Sequence, residues 1–201
     1  MWIRLVLISG KWWTRNMKKK YQIHKSAIIG RNVQIGKSVK IWSNALIRDN
    51  VKIGANSSIG IGVYVGENVV IGSNCKIQNY SQLYEGSILE DGVFIGPMVV
   101  LTNDKYPRAL NSDGFSKSTT DWNLESVYVK AGASIGAGSI CVAPVTIGEN
   151  SMIGAGSVVV KNVKSATLVG GVPAKMLGQV CKHGYSIYKN STNPRTCNLC
   201  V

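Results

Sequence analysis

The sequence predicts an all-β protein built as a coil of short parallel strands, and three features of its repeats support this. An aliphatic residue stands at every sixth position from Ile23 to Leu101, fourteen residues in a row. Small or β-branched residues stand four positions after each aliphatic, as at Ala27 and Val33, and glycine often follows the aliphatic directly. A period of six fits neither an α-helix nor a simple strand, so it indicates a repeat architecture.

Each six-residue unit is long enough for one short strand and one corner. Three such units close a triangular coil, and their aliphatic side chains stack inside it. Glycines such as Gly30 and Gly36 stand where a chain turning a corner needs backbone freedom. One unit cannot bury its isoleucine alone, so we expect the core to be a continuous aliphatic stack along the coil.

The period breaks once, after Leu101, and resumes from Val129 to Val159. The gap holds 22 residues more than one repeat needs. Insertions of that length in a compact repeat are usually functional or disordered, and this one is rich in hydrogen-bonding groups and aromatic residues. We therefore expect an active-site loop. The predicted organisation is an N-terminal extension over 1–20, a β-helix domain over 21–177 with an inserted loop at 102–128, and a Cys/His tail over 178–201.

The formal net charge of +13 predicts anionic partners. The basic residues are scattered over outward positions of many coils, such as Lys37, Lys40, Lys52 and Lys76, without aromatic residues between them. This pattern favours a phosphorylated small molecule and argues against nucleic acid, although solubility alone is an alternative explanation.

Residues 1–16 do not continue the repeat. Their apolar run is too short to span a bilayer, is interrupted by Arg4 and lacks a small-residue cleavage site. One interpretation is that Met17 is the native start, and the other is a short interfacial anchor built on tryptophans with flanking lysines. We expect no export signal, no transmembrane segment and a cytoplasmic location.

The hexads resemble the left-handed parallel β-helix acyltransferases of the hexapeptide-repeat family, and the resemblance covers about residues 21–177. The left hand comes from this resemblance alone, because the general rule for crossovers would favour the right hand. The resemblance also implies acetyl-CoA as cosubstrate and a homotrimer with sites between neighbouring subunits.

Within that family the chain is most similar to N-acetyltransferases that act on the 3-amino group of nucleotide-linked aminosugars for surface polysaccharides. The segments that carry this likeness are 76–86, 89–97 and 101–109, of which the last, with its Asn103-x-x-x-Pro107-Arg108 pattern, is the most specific. The likeness implies a nucleotide-linked aminosugar as the acceptor.

The inserted loop and the coils before it supply polar candidates for the acceptor site. The candidate catalytic residues are Asn103, Asp104, Glu90 and Asp91. The candidate substrate-binding residues are Asn79, Tyr84, Tyr106 and Arg108. A carboxylate could orient the amine, whereas acidic residues at coil corners are also common as solvated turn formers. Arg108 could pair with a diphosphate or a sugar carboxylate, or it could pin the loop.

Histidine content separates two reaction classes. An alcohol must lose a proton as it attacks, so O-acylating relatives use a histidine base, whereas a neutral amine is already nucleophilic. The two histidines, His24 and His183, lie far in sequence from the loop. The sequence therefore favours N-acyl over O-acyl transfer to a sugar or serine, unless His24 reaches a neighbouring subunit's site. Two histidines are too few for the metal-dependent carbonic anhydrases of this fold, and a non-catalytic scaffold is the remaining alternative.

The acyl donor needs hydrogen-bond donors for its oxyanion, and backbone N–H groups of glycine-rich turns can supply them. The segment Gly171-Val172-Pro173-Ala174 resembles the closing Gly-x-Pro-Ala element that lies beside coenzyme A in the family. Small residues at corners are also what any such coil requires. The candidate cofactor-binding residues are Gly136, Ala137, Gly138, Ala155, Gly156, Lys161, Pro173 and Lys175.

The cysteines fall into two groups. Cys75 and Cys141 occupy inward positions and are expected to be small buried apolar residues. The tail holds the ligand types of a tetrahedral structural zinc site, and it resembles the ribbon-like extension of some aminosugar acetyltransferases. A tail without metal is the alternative, and a disulfide is disfavoured without an export signal. The candidate zinc ligands are Cys181, His183, Cys197 and Cys200.

Overall fold

The computed structural model describes residues 13–14, 21–118 and 120–187. Within these residues all the helices and strands assigned are β-strands, with no helix among them, and the strands form three sheets. The predicted all-β parallel β-helix, of the left-handed hexapeptide type, is therefore confirmed.

The strands are mostly two residues long. In chain order they are β1 (Trp13–Thr14), β2 (Gln22–His24), β3 (Ile28–Ile29), β4 (Gln34–Ile35), β5 (Lys40–Ile41), β6 (Leu46–Ile47), β7 (Lys52–Ile53), β8 (Ser58–Ile59), β9 (Tyr64–Val65), β10 (Val70–Ile71), β11 (Lys76–Ile77), β12 (Gln82–Leu83), β13 (Ile88–Leu89), β14 (Phe94–Ile95), β15 (Val100–Leu101), β16 (Val127–Val129), β17 (Ser134–Ile135), β18 (Ile140–Cys141), β19 (Val145–Ile147), β20 (Met152–Ile153), β21 (Val158–Val159), β22 (Thr167–Gly170), β23 (Lys175–Val180) and β24 (Ser186–Ile187).

Successive strands visit the three sheets in rotation, so each complete coil contributes one strand to each sheet. We name the sheets by their strand orders. Sheet A is β1-β2-β5-β8-β11-β14-β17-β20-β22-β23-β24, sheet B is β21-β18-β15-β12-β9-β6-β3, and sheet C is β19-β16-β13-β10-β7-β4. The coil strands pair in parallel with partners one coil away, as Ile77 of β11 pairs with Ile95 of β14.

The corners between strands form three edges along the coil. Edge AB joins sheet A to sheet B at 25–27, 42–45, 60–63, 78–81, 96–99, 136–139 and 154–157. Edge BC joins sheet B to sheet C at 30–33, 48–51, 66–69, 84–87, 102–126 and 142–144. Edge CA joins sheet C to sheet A at 36–39, 54–57, 72–75, 90–93, 130–133 and 148–151.

The repeating aliphatics are the core, as the period predicts. Ile41, Ile59 and Ile95 are fully buried, and the companion positions such as Val39 are buried beside them. Cys75 and Cys141 are buried too, so the prediction that they are inward apolar residues is confirmed. Burial raises the pKa of the Cys141 thiol to about 12, which makes it unreactive as a nucleophile.

Asparagines occupy many corners because the turn needs a left-handed residue there. Asn32, Asn50, Asn56 and Asn74 all have φ between 55° and 61°, a region that asparagine tolerates better than most residues. Their side chains also form ladders, since Asn56 Nδ2 donates to Asn74 Oδ1 at 3.2 Å. The ladder connects one coil to the next outside the core.

The insertion and the two ends depart from the regular coil. The irregular loop covers 102–126, two residues less than predicted, because Val127 already pairs with Val145 of β19. At the start, β1 pairs antiparallel with β2, so the extension adds a strand to sheet A. At the end, β22, β23 and β24 form antiparallel pairs, and β23 crosses the expected domain boundary at residue 177. None of the described residues forms a helix that could cross a membrane.

Candidate functional site

The inserted loop projects from edge BC on a closed base. The backbone N–H of Glu125 donates to the Asn103 carbonyl at 3.0 Å, which holds the two ends of the loop together. Thr102 Oγ1 accepts the backbone N–H of Ala143 at 3.0 Å and fixes the start of the loop to the next coil. The loop is therefore attached at its base without interrupting the stack.

The first residues of the loop hold the predicted acceptor groups. Asp104 Oδ1 accepts the backbone N–H of Tyr106 at 2.8 Å, which forms an Asx turn. Asn103 and Asp104 are half-buried, whereas Tyr106 is 73% exposed. Arg108 is exposed, and its Nη1 donates to the neighbouring Pro107 carbonyl at 2.9 Å. The turn leaves the second Asp104 oxygen for a ligand, while Lys105 Nζ lies over the Tyr106 ring at 5.5 Å from its centroid.

The rest of the loop is a small hairpin with its own polar ties. Leu110 and Ser116 form an antiparallel bridge, and Asn111 Oδ1 accepts the N–H groups of Asp113 and Phe115. The Phe115 side chain at the tip is 71% exposed. An exposed aromatic at the end of an ordered loop is available to a ligand or to a second protein chain.

Tyr84 lies on the same edge, one coil before the loop. Its hydroxyl donates to Gln82 Oε1 at 2.9 Å, and its ring packs at 5.5 Å from the Tyr64 ring. Tyr84 N donates to the Leu101 carbonyl, directly before the loop begins. The structure therefore brings Tyr84, Asn103 and Asp104 together on edge BC.

The predicted cofactor residues are on a different edge. Met98 N donates to the Asn79 carbonyl, Gly138 N to the Pro97 carbonyl and Gly156 N to the Ala137 carbonyl. These bonds stack Asn79, Ala137 and Ala155 at equivalent positions of successive coils on edge AB. Asn79 therefore lies with the cofactor candidates and away from Asp104.

Side chains from the following coil cap the outward N–H groups at several corners. Asp49 Oδ1 accepts the N–H of Arg31 at 2.8 Å, and Asn79 Oδ1 accepts the N–H of Ile61 at 2.9 Å. Asp91 Oδ1 does the same for Ser73 at 2.6 Å. The cap is an Asx residue one 18-residue coil later, and it satisfies a donor that would otherwise face solvent.

This capping is missing where the cofactor candidates lie. The residue one coil after Ala137 is Ala155, whose methyl group cannot accept a hydrogen bond. The register of Ile153 with Val169 places Gly171 one coil after Ala155, and glycine has no side chain. The Ala137 and Ala155 N–H groups therefore point outward without a side-chain cap, as donors to a bound carbonyl oxygen should.

We call the backbone of Ala137, Gly138, Ala155 and Gly156 on edge AB the uncapped strip. No side chain of its own coils covers the outer side of this strip at Gly138 and Gly156. Met98 fills its corner with a side chain that is 65% exposed, whereas a Cβ added to Gly138 or Gly156 would meet no atom within 4 Å. The turn that contains Pro173 adjoins the strip, because Ala174 N donates to the Val158 carbonyl at 2.8 Å. An extended chain could therefore lie along edge AB against bare backbone.

The two cofactor lysines are separated from each other. Lys175 begins β23 close to the Pro173 turn and is exposed. Lys161 is also exposed but follows β21 on the side of edge BC. Of these two lysines, Lys175 is the one that lies beside the uncapped strip of the same chain.

Glu90 lies on the third edge, CA, in a network that the sequence pattern did not reveal. Its carboxylate accepts the Tyr128 hydroxyl, Lys130 Nζ at 3.2 Å and the Ala131 N–H at 2.8 Å. These bonds, the Tyr128 hydroxyl first, lower the pKa of Glu90. A carboxylate with a lowered pKa is a poor proton acceptor, which favours a positioning role.

A signal for this network was present in the sequence. Once the 22-residue insertion is subtracted, Lys130 stands one 18-residue coil after Glu90. Within one chain, then, Glu90 and Asp91 are on edge CA and do not meet Asn103 and Asp104 on edge BC. Their catalytic assignment stays a prediction.

Replacing Glu90 with Gln is expected to make the free energy of unfolding fall less steeply as the pH is lowered. A lowered pKa in the folded state adds stability above the ordinary value near 4.5, and this stability is lost as pH falls through the lowered value. Urea unfolding at a series of pH values between neutral and about 3 measures the slope. Glu149→Gln on the same edge is the control for net charge. Equal slopes for wild type and Glu90→Gln would contradict the network.

The described part of the tail holds two of the four predicted zinc ligands. Cys181 and His183 lie in the turn between β23 and β24, which closes when Gly184 N donates to the Cys181 carbonyl at 2.9 Å. Cys197 and Cys200 lie outside the described residues. Within the described ranges no group of three or more His, Cys, Asp or Glu side chains could hold a metal ion, so zinc stays a prediction.

The fold and this arrangement define a hexapeptide-type β-helix with a polar loop on one edge and an uncapped backbone strip on another. Two families match the sequence: the GMPPB C-terminal domain over 14–105 and the hexapeptide repeat of succinyl-transferase over 131–161. Each match covers less than half of the chain, and the second shows that the chain is similar to the hexapeptide-repeat acyltransferases.

Two named relatives are acetyltransferases whose names give different acceptors. The dTDP-3-amino-3,6-dideoxy-alpha-D-galactopyranose 3-N-acetyltransferase of Aneurinibacillus thermoaerophilus is 52% identical over 54 residues, which are 27% of this chain and 28% of the relative. The serine acetyltransferase of Buchnera aphidicola from Acyrthosiphon pisum is 32% identical over 54% of this chain and 39% of the relative. The chain thus spans well under half the length of both curated relatives.

Solved structures share the fold over most of the chain. A Bacillus cereus protein assigned as an acetyltransferase is 28% identical, covers 78% of this chain and 85% of its own, and has a TM-score of 0.61. An N-acyltransferase of the same organism, solved with dTDP-4-amino-4,6-dideoxyglucose and coenzyme A, is 21% identical over 86% of this chain and 92% of its own. Its TM-score is also 0.61, and at that identity it supports the fold alone.

Proposed function

We propose that the chain is an acetyl-CoA-dependent N-acetyltransferase that acylates an amino group of a nucleotide-linked aminosugar in surface polysaccharide synthesis, in the cytoplasm. The observation that carries the proposal is the uncapped strip on edge AB. There Ala137 and Ala155 present outward N–H groups beside the open positions of Gly138 and Gly156. Such donors suit the carbonyl of a thioester and the oxyanion that forms from it.

The reaction follows from these groups. The neutral amine nitrogen attacks the thioester carbon and forms the C–N bond, and the backbone N–H groups stabilise the oxyanion. Collapse of the intermediate breaks the C–S bond. The nitrogen loses one proton to Asp104 or water, and the departing thiolate is protonated to give free CoA. Asn103 and Asp104 orient the amine, while Tyr106 and Arg108 lie where the sugar and its diphosphate would extend.

Amine acceptors are favoured over hydroxyl acceptors because histidine is missing from the acceptor edge. The loop sequence contains no histidine. His24 lies in the first coil, where its Nδ1 is 2.9 Å from Ser26 Oγ, and His183 lies in the β23–β24 turn at the opposite end. The serine acetyltransferase relative keeps O-acetyl transfer as the second candidate.

A complete site is proposed to need two copies of the chain. The uncapped strip and the loop lie on opposite edges of sheet B, which one six-residue repeat per coil makes about 20 Å wide. The outward residues of sheet B form an apolar row with one polar member: Ile28, Leu46, Tyr64, Gln82, Val100, Ile140 and Val158. Covering this row in a cyclic homotrimer would place the loop of one subunit near the strip of the next.

The acceptor class is tested by release of free thiol from acetyl-CoA. The purified chain is assayed against UDP- and dTDP-linked 3-amino and 4-amino sugars and against their hydroxyl counterparts. Turnover with one amine supports the proposal and identifies the acceptor. Turnover with hydroxyl acceptors alone would favour O-acetyl transfer. No thiol release with any acceptor, together with no binding of acetyl-CoA, would favour a non-catalytic scaffold.

Asp104 variants are expected to separate chemistry from loop geometry. Asparagine can keep the Asx turn to Tyr106 N, so Asp104→Asn removes the charge but not the turn. If the carboxylate handles the amine proton, Asp104→Asn and Asp104→Ala should both lower kcat by about 100-fold or more. The measurement is kcat and KM for the amine acceptor. If kcat is near normal in Asp104→Asn and falls only in Asp104→Ala, Asp104 holds the loop turn and does not handle the amine proton.

A further inference from the structure

A carboxylate outside the set predicted from the sequence lies at the root of the inserted loop. Leu83 of β12 pairs with Leu101 of β15, so Glu85 stands at the same corner position of edge BC as Asn103, one coil earlier. Neighbouring coils are about 4.8 Å apart, so the Glu85 corner lies directly beside the first loop residues. The Glu85 side chain is half-buried there.

The far end of the loop returns to the same corner. A Cβ added to Gly86 would lie 2.9 Å from Ser126 Oγ and 3.5 Å from Leu124 Cδ2. Gly86 also has a φ of 82°, which glycine adopts without steric cost. Both ends of the loop therefore border the corner that carries Glu85, on the acceptor side of the proposed site.

The acids at this position in the two preceding coils are neutralised by arginine. The register of Ile47 with Val65 and of Val65 with Leu83 makes Asp49 and Glu67 the equivalents of Glu85. Asp49 pairs with an arginine at 2.7 Å, and Glu67 does so at 2.6 Å. Within the part of the chain that the structure describes, no ion pair includes Glu85.

An amide, and not a cation, holds the Glu85 carboxylate. Asn68 Nδ2 donates to Glu85 Oε1 at 2.9 Å, and Oε2 accepts no hydrogen bond from the described residues. The side-chain amide of Asn103 makes no hydrogen bond within the described ranges either. One carboxylate oxygen and one amide are therefore available to a ligand at neighbouring corners of edge BC.

We infer that Glu85 binds the amino group of the acceptor and accepts its first proton, an inference that rests on the proposed function. An amine beside electron-withdrawing oxygens has a pKa of about 8, as an α-amino group does, so it arrives largely as an ammonium ion at neutral pH. A carboxylate that has no cation of its own can hold this ion through a charge-assisted hydrogen bond. A hydroxyl group carries no charge, so Glu85 also favours amine over hydroxyl acceptors.

The proton steps of this role balance. The ammonium group gives one proton to Glu85, which passes it to water, and the neutral nitrogen then attacks the thioester carbon. The C–N bond forms and the C–S bond breaks. The second proton leaves the nitrogen through Asp104 or water and ends on the CoA thiolate. Ammonium and acetyl-CoA thus give the acetamide, free CoA and one proton in water.

The test compares two variants that make the same change of charge on the same edge. Glu85→Gln keeps an acceptor oxygen for Asn68 and removes the carboxylate, whereas Glu67→Gln is the matched control one coil earlier, outside the proposed site. The acceptor is the UDP- or dTDP-linked amino sugar that supports thiol release by the wild type. The values of kcat and KM are measured for this sugar and for acetyl-CoA at pH 7 and pH 9, and the thermal midpoint reports folding.

Glu85→Gln is expected to lower kcat/KM for the amino sugar by about 10- to 100-fold at pH 7, mainly through KM, because a hydrogen bond to a charged group is lost. At pH 9 most of the acceptor is neutral, so the loss should shrink to about fivefold or less. The KM for acetyl-CoA should not change, and Glu67→Gln should behave as the wild type does at both pH values.

Three results would overturn the inference. Equal kcat/KM in Glu85→Gln and Glu67→Gln, with normal wild-type turnover, would remove Glu85 from the site and leave the proposed function intact. A loss that is the same at both pH values, or that extends to the KM for acetyl-CoA, would show a general disturbance of the site. No turnover of any amino sugar by the wild type would overturn the proposed function and this inference with it.

Discussion

Deletion of residues 103–124 is expected to abolish acyl transfer and to leave the β-helix folded. The cut removes 22 residues and leaves Val129 six positions after Leu101, so the hexad register is restored. The pairing of Leu89 with Val129 then needs no change. The deletion removes Asn103, Asp104, Tyr106 and Arg108 together, so kcat/KM should fall by about 100-fold or more through lost positioning alone.

The deletion variant is judged by two measurements on the same preparation. Far-ultraviolet circular dichroism with thermal unfolding reports the coil, and thiol release reports turnover. A matched control changes only an exposed polar side chain at the loop tip, with Ser112→Ala, and should keep most of the activity. Normal turnover in a folded deletion variant would contradict the proposal that the loop forms the acceptor part of the active site.

Truncation of a central core residue is expected to have the largest effect on stability. Ile95 is fully buried and stacks between Ile77 and Ile135 of the adjacent coils. Ile95→Ala should lower the free energy of unfolding by about 2–5 kcal/mol, because a cavity remains between coils that cannot close up. Urea unfolding at fixed protein concentration measures the change.

Ile88 provides the matched control for this substitution. It is the same residue type on the strand before, but it points outward from sheet C and is 41% exposed. Ile88→Ala should cost less than about 1 kcal/mol. Similar losses at the two positions would contradict the assignment of inward and outward positions along the coil.

The fold was predictable because one rule applies to every coil. The six-residue period identifies which residue of each strand points inward, and Ile41, Ile59 and Ile95 are buried as the period requires. The period also located the insertion, because the six-residue spacing of aliphatic residues stops after Leu101 and resumes at Val129. Its end was misplaced by two residues because Val127 pairs outside the hexad pattern, with Val145.

The site was less predictable because distance along the chain does not tell which edge a corner occupies. Glu90 and Asp104 are close in sequence but lie on edges CA and BC, and Asn79 is on edge AB. Counting hexads modulo three would have separated them, and it would have placed Lys130 over Glu90. The uncapped N–H groups needed the hydrogen bonds themselves, since only they show that Asn79 and Asp91 are caps.

The most direct test of the central claim is the linkage formed in the product. The full chain is incubated with acetyl-CoA and the nucleotide-linked aminosugar that supports thiol release, and the product is examined by mass spectrometry before and after treatment with hydroxylamine. The hydroxylamine must be alkaline, because oxygen esters are cleaved rapidly only under alkaline conditions, whereas amides resist it. We predict one added acetyl group in a linkage that resists alkaline hydroxylamine, as an amide does. An acetyl group that alkaline hydroxylamine removes would be an ester, and it would contradict transfer to nitrogen.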